Sequence, residues 1–130
     1  MERKRILLVE DNEDLLRGLM TRLKANGYEV LAARDGVQAT TMVRRENPDL
    51  VILDLGLPGG DGFMMMKRWR GLSTFAAPII VLTARDAASS RAASIEAGAV
   101  AFFQKPVENR QLLAAVSMAL AKPETLAPSY

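Results

Sequence analysis

Apolar runs and amphipathic stretches alternate five times along the chain. The runs at 5–9, 29–33, 50–54, 79–83 and 99–103 are short, rich in leucine and β-branched residues, and apolar at nearly every position rather than at every second one. Strands apolar on both faces belong to a parallel sheet covered on both sides. Between them lie helical patterns. Asp11 or Asn12 caps the first, with Glu13 and Asp14 in the turn where the helix dipole favours acids. Leu15, Leu16, Leu19, Met20 and Leu23 then recur at helical spacing, and Gly27 ends it. A second helix is predicted from Gly36 to Glu46, stopped by Pro48, and a third from Asp61 to Gly71. A fourth runs from Ala87 to Ala97, broken by Gly98, and a fifth from Glu108 to Ala121, ended by Pro123. Five βα units with right-handed crossovers give an α/β fold, an open doubly wound sheet. Such sheets bind ligands at the carboxyl ends of their strands.

At 130 residues the chain is one domain with its own core. We place the domain at 1–122 and read 123–130, with its two prolines, as a tail or linker stub. No apolar run approaches the ~20 residues that span a bilayer. The basic start is followed only by Ile6-Leu7-Leu8-Val9 before Glu10, too short for a signal-peptide core, so the expected location is cytoplasmic. With no cysteine, disulfides and thiolate metal sites are excluded. With no histidine, triad chemistry and imidazole ligation are excluded too, and any phosphohistidine must lie on another molecule or domain. The net charge of +2 is mild, and no basic stripe is interleaved with aromatics, so neither nucleic acid nor membrane is an expected partner. Arg44-Arg45 and Lys67-Arg68-Trp69-Arg70 read as solvated helix ends, and Met64-Met65-Met66 as part core, part exposed face.

Chemistry gathers at the predicted strand ends. Glu10 and Asp11 close the first strand, Asp54 the third, Thr83 the fourth, and Lys105 follows the fifth. Each residue alone has a plain explanation as a cap, a turn former or a solvated end; their joint placement at one sheet edge does not. Converging carboxylates suit a hard divalent cation, and magnesium prefers oxygen ligands. Asp11 and Asp54 are expected as direct ligands, Glu10 through a water, and the Gly56 carbonyl completes the set. A carboxylate can attack phosphorus and form an acyl phosphate if cations offset the phosphoryl charge. Lys105 supplies an ammonium, Thr83 a hydroxyl donor, and Ala84 leaves room for the incoming group.

These segments resemble the receiver domains of two-component response regulators. The resemblance rests on Ile6 to Asp11, on Leu53-Asp54-Leu55-Gly56-Leu57-Pro58-Gly59-Gly60-Asp61-Gly62, on Val81-Leu82-Thr83-Ala84 and on Gln104-Lys105-Pro106, and covers about residues 4–121. It implies a flavodoxin-like sheet of strand order 2-1-3-4-5 with five helices. It implies that Asp54 is the phosphoacceptor, served by a sensor histidine kinase or histidine phosphotransfer protein, and that Glu10, Asp11, Asp54 and Gly56 hold Mg2+. Thr83 becomes the switch hydroxyl, Lys105 the family's lysine before a typically cis proline, and Phe102 the switch aromatic, with outward rotamers before phosphorylation and an inward turn after it. Arg85, with Gly56, is expected to tune dephosphorylation; Leu15 and Pro106 are expected to meet the phosphodonor. A downstream effector would read the face formed by the fourth helix, fifth strand and fifth helix, with the chain a monomer or a phosphorylation-dependent dimer. Phe102 lacks a hydroxyl, so its burial cannot draw on a tyrosine-type hydrogen bond. Val100 and Ala101 make that face more apolar than an acidic pair would.

The implied protein is a phosphorylation-dependent switch rather than an enzyme with an external substrate. It would be a single-domain regulator, with a receiver cut from a DNA-binding regulator or a hybrid kinase as the alternative. A haloacid-dehalogenase-type phosphatase would need a second Asp two residues after Asp54, where Gly56 stands. A nucleotide- or flavin-binding module would need a Gly-rich loop after the first strand, where Asp11-Asn12-Glu13 stand. A degenerate receiver acting only as a docking surface would not need the complete set of site residues.

Overall fold

The computed structural model describes residues 2–57, 61–84 and 87–121. Five parallel strands form one sheet in the order β2-β1-β3-β4-β5. They are β1 (Arg5–Val9), β2 (Glu29–Ala33), β3 (Leu50–Leu53), β4 (Ile79–Thr83) and β5 (Ala101–Gln104). The helices are α1 (Glu13–Ala25), α2 (Gly36–Glu46), α3 (Gly62–Arg70), α4 (Ala87–Glu96) and α5 (Asn109–Leu120). This is the flavodoxin-like order expected from the resemblance.

The central strands are buried at nearly every position, yet they still alternate. Ile6, Leu8, Leu50, Ile52, Ile80 and Leu82 pack with α1 and α5 on one face. Leu7, Val9, Val51, Leu53, Ile79 and Val81 pack with α2 and α3 on the other. The period of two decides which face, not whether a residue is buried.

Two strands differ in their bounds from the sequence expectation. β3 ends at Leu53, although the Asp54 amide still donates to Val9 O at 3.1 Å. β5 runs Ala101–Gln104; the Val100 N–H already donates to Ile79 O of β4, and the residues before it belong to the stop that ends α4. There Gly98 has φ +105°, its N–H donates to Ile95 O, and the Ala99 N–H reaches back to Ser94 O. That is a Schellman stop. Gly27, at φ +92°, ends α1 in the same way. The basic segment at the end of α3 is also only partly solvated. Trp69 is fully buried, its indole N–H donating to Thr40 Oγ1 at 3.1 Å. Arg70 donates to the carbonyls of Ala77 and Gly98, and burial lowers its guanidinium pKa. Arg44, Arg45, Lys67 and Arg68 are not buried, as expected. The methionines split as expected too, with Met65 and Met66 buried and Met64 out. The expected tail lies outside the described residues. Among those residues no helix is long and apolar enough to cross a membrane.

Candidate functional site

Parallel strands deliver their carboxyl ends to one edge, and there the predicted acids meet. Carboxylate oxygens of Glu10, Asp11 and Asp54 lie within 4.8 Å of one another. β1 and β3 are hydrogen-bonded neighbours, with Val9 opposite Leu53, so the residues that follow are brought together. Glu10 is 2% exposed and Asp54 7%, while Asp11 faces solvent.

Each buried oxygen has a donor. Glu10 Oε2 accepts from the Asn12 amide at 3.0 Å, and Asn12 in turn caps α1 by accepting from Leu15 N. Asp54 Oδ1 accepts from the Gly56 amide at 3.0 Å. Lys105 Nζ bridges the remaining oxygens, 2.7 Å from Glu10 Oε1 and 3.1 Å from Asp54 Oδ2. Burial pulls the Lys105 pKa down, but hydrogen bonds and charge from Glu10 and Asp54 outweigh it and hold the pKa above its ordinary value. Three carboxylates against one ammonium leave a formal charge of −2, which a divalent cation cancels. The donors are all oxygen, so the residues fit a hard cation such as magnesium. The exposed Asp11 and Gly56 leave that side open to solvent.

Lys105 is anchored from β4, its backbone N–H donating to Thr83 O at 2.8 Å. Thr83 is 1% exposed, and Ala84 beside it faces solvent. The Lys105–Pro106 bond is cis. Leu15, Lys105 and Pro106 line one groove of about 290 Å³ between α1 and the loop after β5. Leu15 also packs against the α1–α5 face of the core, so its side chain belongs to the core and to the groove at once. A larger groove of about 460 Å³ between α2 and α3, lined by Val37, Met64 and Arg68, contains none of the predicted site residues.

Phe102 is turned inward, 3% exposed. In place of a tyrosine-type hydrogen bond, the guanidinium of Arg91 on α4 lies over the ring, 5.1 Å from its centroid. Arg91 is not legible in the sequence, because no spacing ties a residue in α4 to an aromatic in β5. Arg85, Gly59 and Gly60 lie outside the described residues.

The model of the response regulator receiver domain matches residues 6–117. The chain belongs to that family. It is a receiver domain of the two-component type, and receivers are signalling switches. The response regulator MprA of Mycobacterium tuberculosis is 40% identical over 127 residues, covering 96% of this chain and 55% of that protein. The MprA of Mycobacterium leprae is equally similar. The chain thus spans about half the length of the curated relatives it matches. Among solved structures, a putative response regulator from Chloroflexus aurantiacus superposes with a TM-score of 0.87 at 35% identity, over 93% of this chain and all of that one. The BeF3-activated receiver domain of Klebsiella pneumoniae RstA does so with 0.85 at 31%, over 92% and all of that chain.

Proposed function

We propose that Asp54 is the phosphoacceptor of this receiver and that the convergence of Glu10, Asp11 and Asp54 around Lys105 carries the chemistry. The donor is a phosphohistidine on a sensor kinase or phosphotransfer protein, since this chain has no histidine of its own. An Asp54 carboxylate oxygen attacks phosphorus, an oxygen–phosphorus bond forms, and the donor's phosphorus–nitrogen bond breaks with its electron pair leaving on the imidazole. Asp11, Asp54 and the Gly56 carbonyl would hold Mg2+, and Glu10 would contribute through a water. When bound, the ion supplies charge neutralisation to the phosphoryl oxygens. Lys105, already 3.1 Å from Asp54 Oδ2, adds its ammonium to those oxygens, and Thr83 adds a hydroxyl. Gly56 donates its amide to Asp54 and orients the carboxylate.

Movement of Thr83 toward the phosphoryl group is the switch, read through Phe102 and the face of α4, β5 and α5 by an effector protein or domain. The inward Phe102 with Arg91 over it supports an aromatic element that α4 can sense. The phosphodonor docks over the groove that joins Leu15 and Pro106. We place this switch in the cytoplasm, with no activity beyond its own phosphorylation and dephosphorylation, and assign acyl-phosphate lifetime to Gly56 and Arg85. The BeF3-activated state of the Klebsiella relative supports a phosphoryl-mimic site here.

The test is incubation with acetyl phosphate, with and without magnesium, followed by intact-mass measurement. One magnesium-dependent phosphoryl adduct is expected on the parent and none on Asp54→Asn. An adduct that persists in Asp54→Asn overturns the assignment.

A further inference from the structure

Gly56, two residues after the proposed phosphoacceptor, is not the glycine with no room. A methyl on Gly56 would have Asp54 Oδ1 as its nearest neighbour at 3.8 Å, an ordinary separation. Gly62, the first residue of α3, is different. A Cβ there would stand 2.7 Å from Leu55 Cδ2 and 2.9 Å from Leu55 Cα. The first clash could be relieved by a rotamer change; the second is with backbone and could not. Leu55 is fully buried in the core beneath α3, so it has no free direction in which to yield. It also sits between Asp54 and Gly56, the two residues whose carboxylate and amide are hydrogen-bonded across the turn.

We infer that Gly62 is a positioning residue: the bare backbone at the start of α3 is the surface on which the Asp54–Gly56 turn is seated. Asp61 fixes that surface by capping α3, its Oδ1 accepting from Phe63 N at 2.9 Å. A side chain at Gly62 pushes the Leu55 backbone away from α3. It carries the Gly56 amide off Asp54 Oδ1, and with it the Gly56 carbonyl that the proposed function assigns to the metal. The magnesium part of this consequence rests on the function proposed above; the displacement of the turn does not.

The experiment compares Gly62→Ala with two variants that leave the turn alone. Gly18→Ala makes the same chemical change in α1, where the nearest atom is 4.0 Å away. Val116→Ala removes core volume on the opposite face of the sheet and sets the scale for general destabilisation. Two readouts are taken where circular dichroism shows each variant folded. Solvent exchange of the Gly56 amide, followed by NMR, is expected to be about tenfold faster in Gly62→Ala than in either control. The Mg2+ dissociation constant, by calorimetry, is expected to rise about tenfold or more in Gly62→Ala alone. Adding Leu55→Ala to Gly62→Ala should not restore the parent values, because the clash with the Leu55 backbone is untouched by trimming its side chain.

A Gly56 amide that exchanges at the control rate in Gly62→Ala overturns the inference. If Gly62→Ala does not fold, Asp61→Ala takes its place, because it removes the cap that fixes the seat: Gly56 exchange faster than in both controls supports the seat, and exchange at the control rate refutes it. A parent that binds no magnesium removes the proposed function and leaves the amide exchange to decide this inference by itself.

Discussion

At the amino end of β1, Arg5 faces Glu29, Glu46 and Asp49; at the carboxyl edge of the same sheet, Lys105 faces Glu10 and Asp54, with Asp11 beside them. Both groups set three carboxylates against one cation. Around Arg5 the acids are spread: Glu46 takes Nη2 at 2.8 Å, Glu29 takes Nε at 3.3 Å, and Asp49 takes the backbone amide at 2.7 Å. The glutamates are wet, with Glu29 52% and Glu46 40% exposed. Around Lys105 two of the acids are buried and all three converge; among the described residues this is the only such group. Equal charge counts therefore do not make equal sites. Dispersed acids around a guanidinium tie strands together, whereas acids aimed at one point hold uncompensated negative potential for a ligand.

The sharpest way to break this contrast is one chemical change made at each edge. Asp54→Asn should abolish the phosphoryl adduct, and Asp49→Asn should leave it at parent yield, both read by intact mass after incubation with a small-molecule donor. Equal loss in the two variants would erase the distinction. Next in size is Lys105→Met. Removing one partner of a buried bridge typically costs ~3–5 kcal/mol, and partial hydration at Lys105 trims this to about 2–3 kcal/mol. Urea denaturation should show that loss without magnesium and recover part of it with magnesium, as the ion takes over the missing positive charge. Arg5→Ala should cost less, about 1 kcal/mol, because its bridges are solvent-screened, and magnesium should not change the figure. A magnesium-dependent loss at Arg5 would mean that the two edges are not independent.

The smallest effect is on pH. The Lys105 pKa is raised in the folded protein, so its contribution to stability is fully present below the ordinary lysine value of 10.5 and is lost as pH rises through the raised value. The stability gap between parent and Lys105→Met should therefore be flat from neutrality to about pH 10 and narrow above it. The hydrogen bond to Glu46 raises the Arg5 pKa against a smaller burial penalty, so the gap for Arg5→Ala should stay flat throughout. Urea curves at about pH 8 and about pH 11 check both; a Lys105 gap that does not narrow would refute the bridge as a stabilising element.

The bounds of β1, β2, β4 and α2 match the sequence expectation residue for residue. There apolar runs and capping residues stop abruptly, and local signals suffice. β5 starts later than its apolar run because Ala99, apolar like its neighbours, has its amide committed to Ser94 O. The pattern of polarity does not record where an amide goes. Glu10, Asp11, Asp54 and Lys105 are legible for a topological reason: in a parallel sheet every strand end arrives at the same edge. Trp69, Arg91 and Gly62 are not legible as what they are. Each owes its role to a distance between segments separated in sequence: an indole under Thr40, a guanidinium over Phe102, a bare glycine against Leu55.

Trp69 carries one more consequence. It is the chain's sole tryptophan, with no solvent exposure and its N–H held by Thr40 across the seam of α2 and α3. The protein therefore contains a single indole fluorophore in a dry, hydrogen-bonded seat, on the same helix whose first residue, Gly62, lies against the backbone of the Asp54–Gly56 turn. Its emission is an unlabelled optical gauge of how α3 is seated, and any event at Asp54 that tilts this helix can be timed by light alone.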